Sequence, residues 1–255
     1  MADKAVPARA WRVVLEKIEK DLLDGTLEPG DHLPPERELA ATLGVGRSSV
    51  REALRVLEVL GLIRTGTGSG PTAGAIVVAT PVGGMSALVR LQVAAQGFPI
   101  GDVVSTRLIL ETAMAGELAA QIGAARRART GADAAADALA QPLRLLDAMD
   151  DADLTPPEFL ALDAQFHLAL AEASGNTVVA AMMAGLRESI EGYVLDGAGR
   201  VPDWSHTADR LRVQHREIIE ALEHGDPAMA RRLVTDHITG YYTHAGLTHD
   251  GKDDR

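Results

Sequence analysis

The stretch Pro29–Gly70, PGDHLPPERELAATLGVGRSSVREALRVLEVLGLIRTGTGSG, narrows the fold more than any other part of this chain. Proline lacks the amide proton that a helix interior needs, so Pro34 and Pro35 open a helix that Glu36, Arg37 and Glu38 begin and that ends at Leu43. Gly44 stops it. After a tight turn Gly46 takes the N-cap slot of a second helix, Arg47 to about Leu60, closed by Gly61. Leu62–Arg64 and Ala75–Val78 then read as two strands, separated by a Thr, Gly, Ser and Pro run that excludes helix. Upstream, Trp11, Val14, Leu15, Ile18 and Leu22 recur at helical spacing and predict a first helix over Ala8–Asp24. Three helices and a glycine-rich hairpin are the layout of a winged helix-turn-helix.

On the second helix of the pair, Arg47, Arg51 and Arg55 recur every four residues on one face, while Val50, Ala53, Leu57 and Leu60 gather on another. A bare arginine stripe is ordinarily a solvated surface. This one starts at the end of the helix that enters a major groove in a helix-turn-helix, which points to phosphates and base edges. The net charge of −11 for 255 residues looks wrong for a DNA-binding chain until it is divided. Residues 1–80 carry 10 Lys/Arg against 11 Asp/Glu, whereas residues 81–255 carry 15 against 25, so the acidity belongs to the second half. Cysteine is absent, no apolar run approaches membrane-spanning length, and MADKAVPARAWR lacks a signal-peptide core, which together predict a cytoplasmic protein with no membrane partner.

Beyond a short Pro/Gly linker at Thr80–Gly84, strand signals vanish. Amphipathic periodicity predicts helices over about Met85–Gln96, Gly101–Arg126, Asp133–Asp150, Pro156–Ser174, Thr177–Leu195, Asp203–Glu223 and Pro227–His244, with glycine or proline breakers at the joints. Thr155-Pro-Pro-Glu158 is a capping box with proline at the first helical position, so the Pro156 helix is the firmest of them. The predicted fold class is mostly α: the winged unit over residues 1–80, a linker at 81–84, an antiparallel bundle of six to seven helices over 85–247, and a disordered tail at 248–255. The alanine-rich stretch Ala115–Ala140 signals either close helix approach or mere composition.

Projected at 100° per residue, the Pro156 helix puts Asp163 and His167 in or beside its apolar stripe of Phe159, Phe166 and Leu170. The next-to-last helix sets His215 among Leu211, Ile218 and Leu222, and the last sets His237 beside Leu233 and Tyr241. A single core histidine is usually just hydrogen-bonded. Four such groups on three helices of one small bundle are hard to satisfy pairwise, and burying a carboxylate is costly unless something neutralises it. Convergence on a divalent cation resolves both problems, and one carboxylate with three imidazoles suits Zn²⁺, Ni²⁺ or Mn²⁺ with positions left over for water or a ligand. The other five histidines read as surface, and no general base stands beside the four. Arg107 and Glu111 lie on the inward stripe of their helix: either they form a buried ion pair, or the guanidinium clamps a carboxylate.

The 35 residues from Pro29 to Ile63 resemble the DNA-binding domain of the GntR family of bacterial transcription regulators, with both prolines, ERELA and VREAL in register. The resemblance implies operator contacts from Arg37, Arg47, Ser48, Ser49 and Arg51, and a wing-tip glycine within Gly66–Gly70, at Gly68, near the minor groove. One departure is Gly46, where the family usually has a serine or threonine hydroxyl. In the second half, Asp163-x-x-x-His167 in DAQFHLAL, His215 in QHREIIEAL and His237 in DHI resemble the FCD effector domain of the FadR subfamily. That resemblance implies that Asp163, His167, His215 and His237 bind the metal and that a small carboxylate fills its open positions, with Arg107, and more weakly Arg187, contributing to the effector pocket. Together the two imply a cytoplasmic homodimer that binds double-stranded operator DNA, most simply a repressor. The rival readings are a metal-dependent all-α enzyme acting on a small organic acid and a regulator that senses the metal itself.

Overall fold

The computed structural model describes residues 10–66, 74–78, 82–96, 98–128 and 132–246, and the chain divides into two compact units between Leu88 and Val89. The first contains α1 (Ala10–Leu23), α2 (Glu36–Leu43), α3 (Arg47–Val59), β1 (Ile63–Gly66) and β2 (Gly74–Val77). The strands pair antiparallel, Ile63 opposite Val77 and Gly66 opposite Gly74, and His32 adds a bridge to Ile76 that fastens the loop before α2 to the sheet. Val14 and Ile18 of α1 pack with Val50, Ala53 and Leu57 of α3 and with Ile63 and Val77 of the strands, so one apolar cluster sets the pitch of α3. The turn between α2 and α3 needs a left-handed residue, and Gly44 supplies it at φ 63°. Gly46 caps α3 without a side-chain hydrogen bond, as expected from its missing hydroxyl.

The helix α4 (Val82–Gln96) starts inside the segment read as linker and continues past the division between the units. The second unit is then all helical: α5 (Ile100–Arg127), α6 (Ala132–Met149), α7 (Pro156–Ala173), α8 (Thr177–Ala198), α9 (Trp204–His224) and α10 (Pro227–His244). Within it α5 is the axis, touching each of α6 to α10. Its small residues allow this: Ala115 and Ala119 are fully buried, and a Cβ on Gly123 would stand 3.1 Å from the backbone oxygen of Gly225. The alanine- and glycine-rich composition therefore marks close helix approach. Phe159, Phe166, Leu170, Leu211, Ile218, Leu222 and Tyr242 fill the core, each almost without solvent contact. The predicted tail at 248–255 lies outside the described residues, and among those described no helix is long and apolar enough to cross a membrane.

Candidate metal centre and nucleic-acid interface

Three capped helices deliver the polar core residues. The Glu158 carboxylate accepts the Thr155 N–H at 2.9 Å at the start of α7, Asp203 caps α9, and the Asp226 carboxylate accepts from Ala228 and Met229 at the start of α10. Caps fix where each helix begins and hence which residues face inward. Asp163 and His167 point from α7, His215 from α9 and His237 from α10. All four are buried, and one ligand atom from each lies within 4.8 Å of the others.

The spacing fits a cation. Asp163 Oδ1 stands 3.0 Å from His215 Nε2, 3.9 Å from His237 Nε2 and 4.0 Å from His167 Nε2. Ligand atoms on a tetrahedron about Zn²⁺ are roughly 3.3 Å apart, from metal–ligand bonds of about 2.0–2.1 Å. The His215–Asp163 approach lies off the ring's N–H direction, so both His215 nitrogens are buried without a hydrogen-bond partner. Asp163 is held well below the usual carboxylate range: burial opposes its ionisation, and the surrounding imidazoles, His215 foremost, outweigh burial. Burial pushes His215 down and His237 well down, with the neighbouring imidazoles acting in the same direction on His237, so both rings are neutral near pH 7.

The His237 tautomer follows from the group behind its ring. His237 Nδ1 faces the Gln214 amide oxygen at 3.2 Å, and His167 Nδ1 faces Glu111 Oε2 at 2.6 Å, a close contact oblique to the ring. The acceptor at His237 Nδ1 places the proton there and leaves the lone pair on Nε2, whereas His167 Nδ1, at ion-pair distance from Glu111 but off the ring's N–H direction, has no hydrogen-bond partner. The Nε2 atoms of the two rings face one another at 3.0 Å. At that distance either His167 Nε2–H donates to the His237 lone pair or one cation takes both nitrogens together with Asp163.

Arg107 and Glu111 join this cluster. Arg107 Nε donates to Glu111 Oε1 at 2.7 Å and Nη1 donates to Tyr242 Oη at 3.4 Å, all within the core. Burial resists ionisation of Glu111, but Arg107 and then His167 overcome it and lower its pKa to about 2. The buried ion pair thus forms, and no described residue accepts from Arg107 Nη2. The guanidinium also lines a cavity of about 10 Å³, room for a single water, together with Asp163, His237 and Tyr241. Tyr241 Oη closes its far side by donating to the Val194 carbonyl. Arg187 sits elsewhere: it pairs with Glu191 at 2.8 Å, is partly exposed, and does not line this cavity. Glu111 stands beside the four as a further buried acid, its Oε1 accepting from Arg107 and its Oε2 lying 2.6 Å from His167 Nδ1 without a hydrogen-bond partner. Gln214, Glu111 and Tyr242 escaped sequence reasoning as partners because each sits in an ordinary amphipathic pattern; only the i, i+4 spacing of Arg107 and Glu111 carried a signal. Of the five remaining histidines, His32, His206, His224 and His244 are exposed, and His249 lies outside the described residues.

In the first unit, Arg37, Arg47, Ser48, Arg51 and Arg55 are exposed and Ser49 is half-buried. Ser48, Arg51, Arg55 and Val56 line an open recess along α3. Arg51 Nε is steadied by Glu36 at 2.9 Å, an acid of the helix before it. Glu58, near the end of α3, accepts both the N–H of Thr65, at 3.1 Å, and its hydroxyl, fastening β1 to α3. Gly68 at the wing tip lies outside the described residues.

Comparison with known proteins agrees with both halves. The profile of "Bacterial regulatory proteins, gntR family" matches residues 12–72, and that of the FCD domain matches residues 102–240. The Glc operon transcriptional activator of Escherichia coli (strain K12) is 30% identical over 226 residues, covering 89% of this chain and 85% of that protein. The HTH-type transcriptional repressor NanR of Citrobacter rodentium is 29% identical over 230 residues, covering 89% of this chain and 81% of its own. Among solved structures, Streptococcus agalactiae GntR aligns with a TM-score of 0.57 at 26% identity, over 91% of this chain and 98% of that one.

Proposed function

The chain belongs to the gntR family of bacterial regulatory proteins and carries an FCD domain, and from that premise we propose that it is a cytoplasmic, homodimeric repressor whose operator binding is set by a small carboxylate held at a divalent metal. It is a DNA-binding transcriptional regulator and not an enzyme, as its relatives are. Asp163, His167, His215 and His237 hold the metal, which is Zn²⁺, Ni²⁺ or Mn²⁺ by its donor set. When bound, the metal supplies Lewis-acid positions for an anionic oxygen. Arg107 offers its remaining N–H groups to the same carboxylate, a planar match that a lysine would not give.

The observation that carries this reading is the convergence of four buried donors, one from each of Asp163, His167, His215 and His237, within 4.8 Å of one another, with both His215 nitrogens left without a hydrogen-bond partner. Arg37, Arg47, Ser48, Ser49 and Arg51 meet operator DNA, with the wing at Gly68. A single α3 buries little in a groove, and two related by a two-fold axis read a palindrome, which supports the dimer. Repression needs only occupancy of the duplex. One relative is named as an activator and another as a repressor, so the sign is tested directly, by transcription from a promoter carrying a DNA site selected by the protein, with and without it; a rise in transcription contradicts the repressor assignment.

A second reading draws on the cavity, which has room for one water and none for an organic acid without a wall moving: the metal itself is the signal. Binding to protein-selected DNA fragments, titrated with metal after chelation and with or without a panel of small carboxylic acids, separates the two. A response that needs acid and metal together supports the carboxylate reading. A full response to metal alone supports the second.

A further inference from the structure

The Arg107–Glu111 pair lies against the cation site without belonging to it. One carboxylate touches two functional groups: Glu111 Oε1 accepts from Arg107 Nε at 2.7 Å, and Oε2 stands 2.6 Å from His167 Nδ1. Glu111 has no solvent contact, and Arg107 and His167 have almost none. Its position on α5, the helix that touches every other helix of the bundle from α6 onward, fixes it rigidly. Two consequences follow. A carboxylate behind an imidazole holds the proton on Nδ1, keeps the lone pair on Nε2 and makes that nitrogen a better donor to a metal. The second oxygen ties the same carboxylate to the only described arginine lining the cavity beside the four ligands.

We propose that Glu111 is a positioning residue for the cation site, setting the tautomer and donor strength of His167 while holding Arg107 in place to meet an anion beside the metal. This rests on the reading of Asp163, His167, His215 and His237 as metal ligands. Charge drawn from Glu111 by Arg107 is charge withheld from His167, so the ion pair and the metal site are two ends of one chain of contacts.

The test measures zinc affinity of the full-length protein by chelator competition, and cobalt(II) visible spectra at saturation, for wild type, Glu111→Gln and the double variant Arg107→Met/Glu111→Leu. The double variant removes both charges, so neither is left buried alone. Wild type is expected to bind one zinc ion. Glu111→Gln is expected to bind at least tenfold more weakly and the double variant 10- to 100-fold more weakly, with cobalt spectra that keep the wild-type band shape because the four ligands remain. A purely structural role would lower the unfolding temperature of the metal-free variants yet leave zinc affinity within twofold of wild type, and that result overturns the proposal. Wild type that binds no zinc or cobalt would instead defeat the metal reading itself, a distinguishable failure.

Discussion

The amide oxygen of Gln214 lies 3.2 Å from Nδ1 of His237, one residue before His215 on the same helix. A neutral amide is a weaker acceptor than a carboxylate, so it fixes the His237 tautomer while adding little to its basicity. Gln214→Leu is therefore expected to lower zinc affinity by about tenfold, toward the small end of the range for groups behind metal-bound histidines. Chelator competition on the folded variant checks this; affinity within twofold of wild type contradicts the tautomer assignment.

Arg107→Ala leaves Glu111 as a buried carboxylate facing only His167. Breaking a buried pair from one side costs about 3–5 kcal/mol, and urea unfolding of the metal-free protein should show a loss of that order. The same variant is expected to lose any thermal stabilisation by small carboxylic acids that the metal-loaded wild type shows. A full ligand shift in Arg107→Ala would remove this arginine from the effector site.

At the DNA end, Arg51→Ala is expected to weaken binding to a protein-selected operator by about 1–3 kcal/mol without changing the unfolding midpoint, and to flatten the dependence on salt. Filter binding at several salt concentrations measures both. Unchanged affinity would mean that α3 does not present this face to the duplex.

How much of this was legible beforehand differs between the two units. The helices α2 and α3 were readable because Pro34, Pro35, Gly44, Gly46 and Gly61 punctuate them chemically, and both were placed to within a residue. The helical wheel placed Asp163, His167, His215 and His237 inward, but no periodicity says that three helices turn their polar residues to one point; that required the packing of α7, α9 and α10 about α5. Arg107 and Glu111 were legible as a pair through their four-residue spacing. The contact of Glu111 with His167, 56 positions later in the chain, was not, because it depends on which helix lies beside which. Arg187 matched an apolar border on the wheel, yet it reaches Glu191 on its own helix.

The clasp between α3 and the wing carries a pH signature. Hydrogen bonds from Thr65 lower the pKa of Glu58 below its ordinary 4.5. A carboxyl depressed in the folded state contributes stability that is complete above its unfolded pKa and is lost as pH falls through the folded one. Titration of the Glu58 carboxyl by NMR should give a value below 4.5 in wild type and a return to the ordinary range in Thr65→Val. That variant is also expected to bind operator DNA severalfold more weakly near neutral pH, since β1 is no longer held to α3; equal affinity would show that the wing does not rely on this clasp.

The most direct test of the account is elemental analysis of the purified protein beside His215→Ala, each after loading with zinc and gel filtration. Close to one zinc ion per wild-type chain is expected and almost none in the variant, both folded by circular dichroism. Wild type without bound metal, or a fully loaded His215→Ala, contradicts the metal reading.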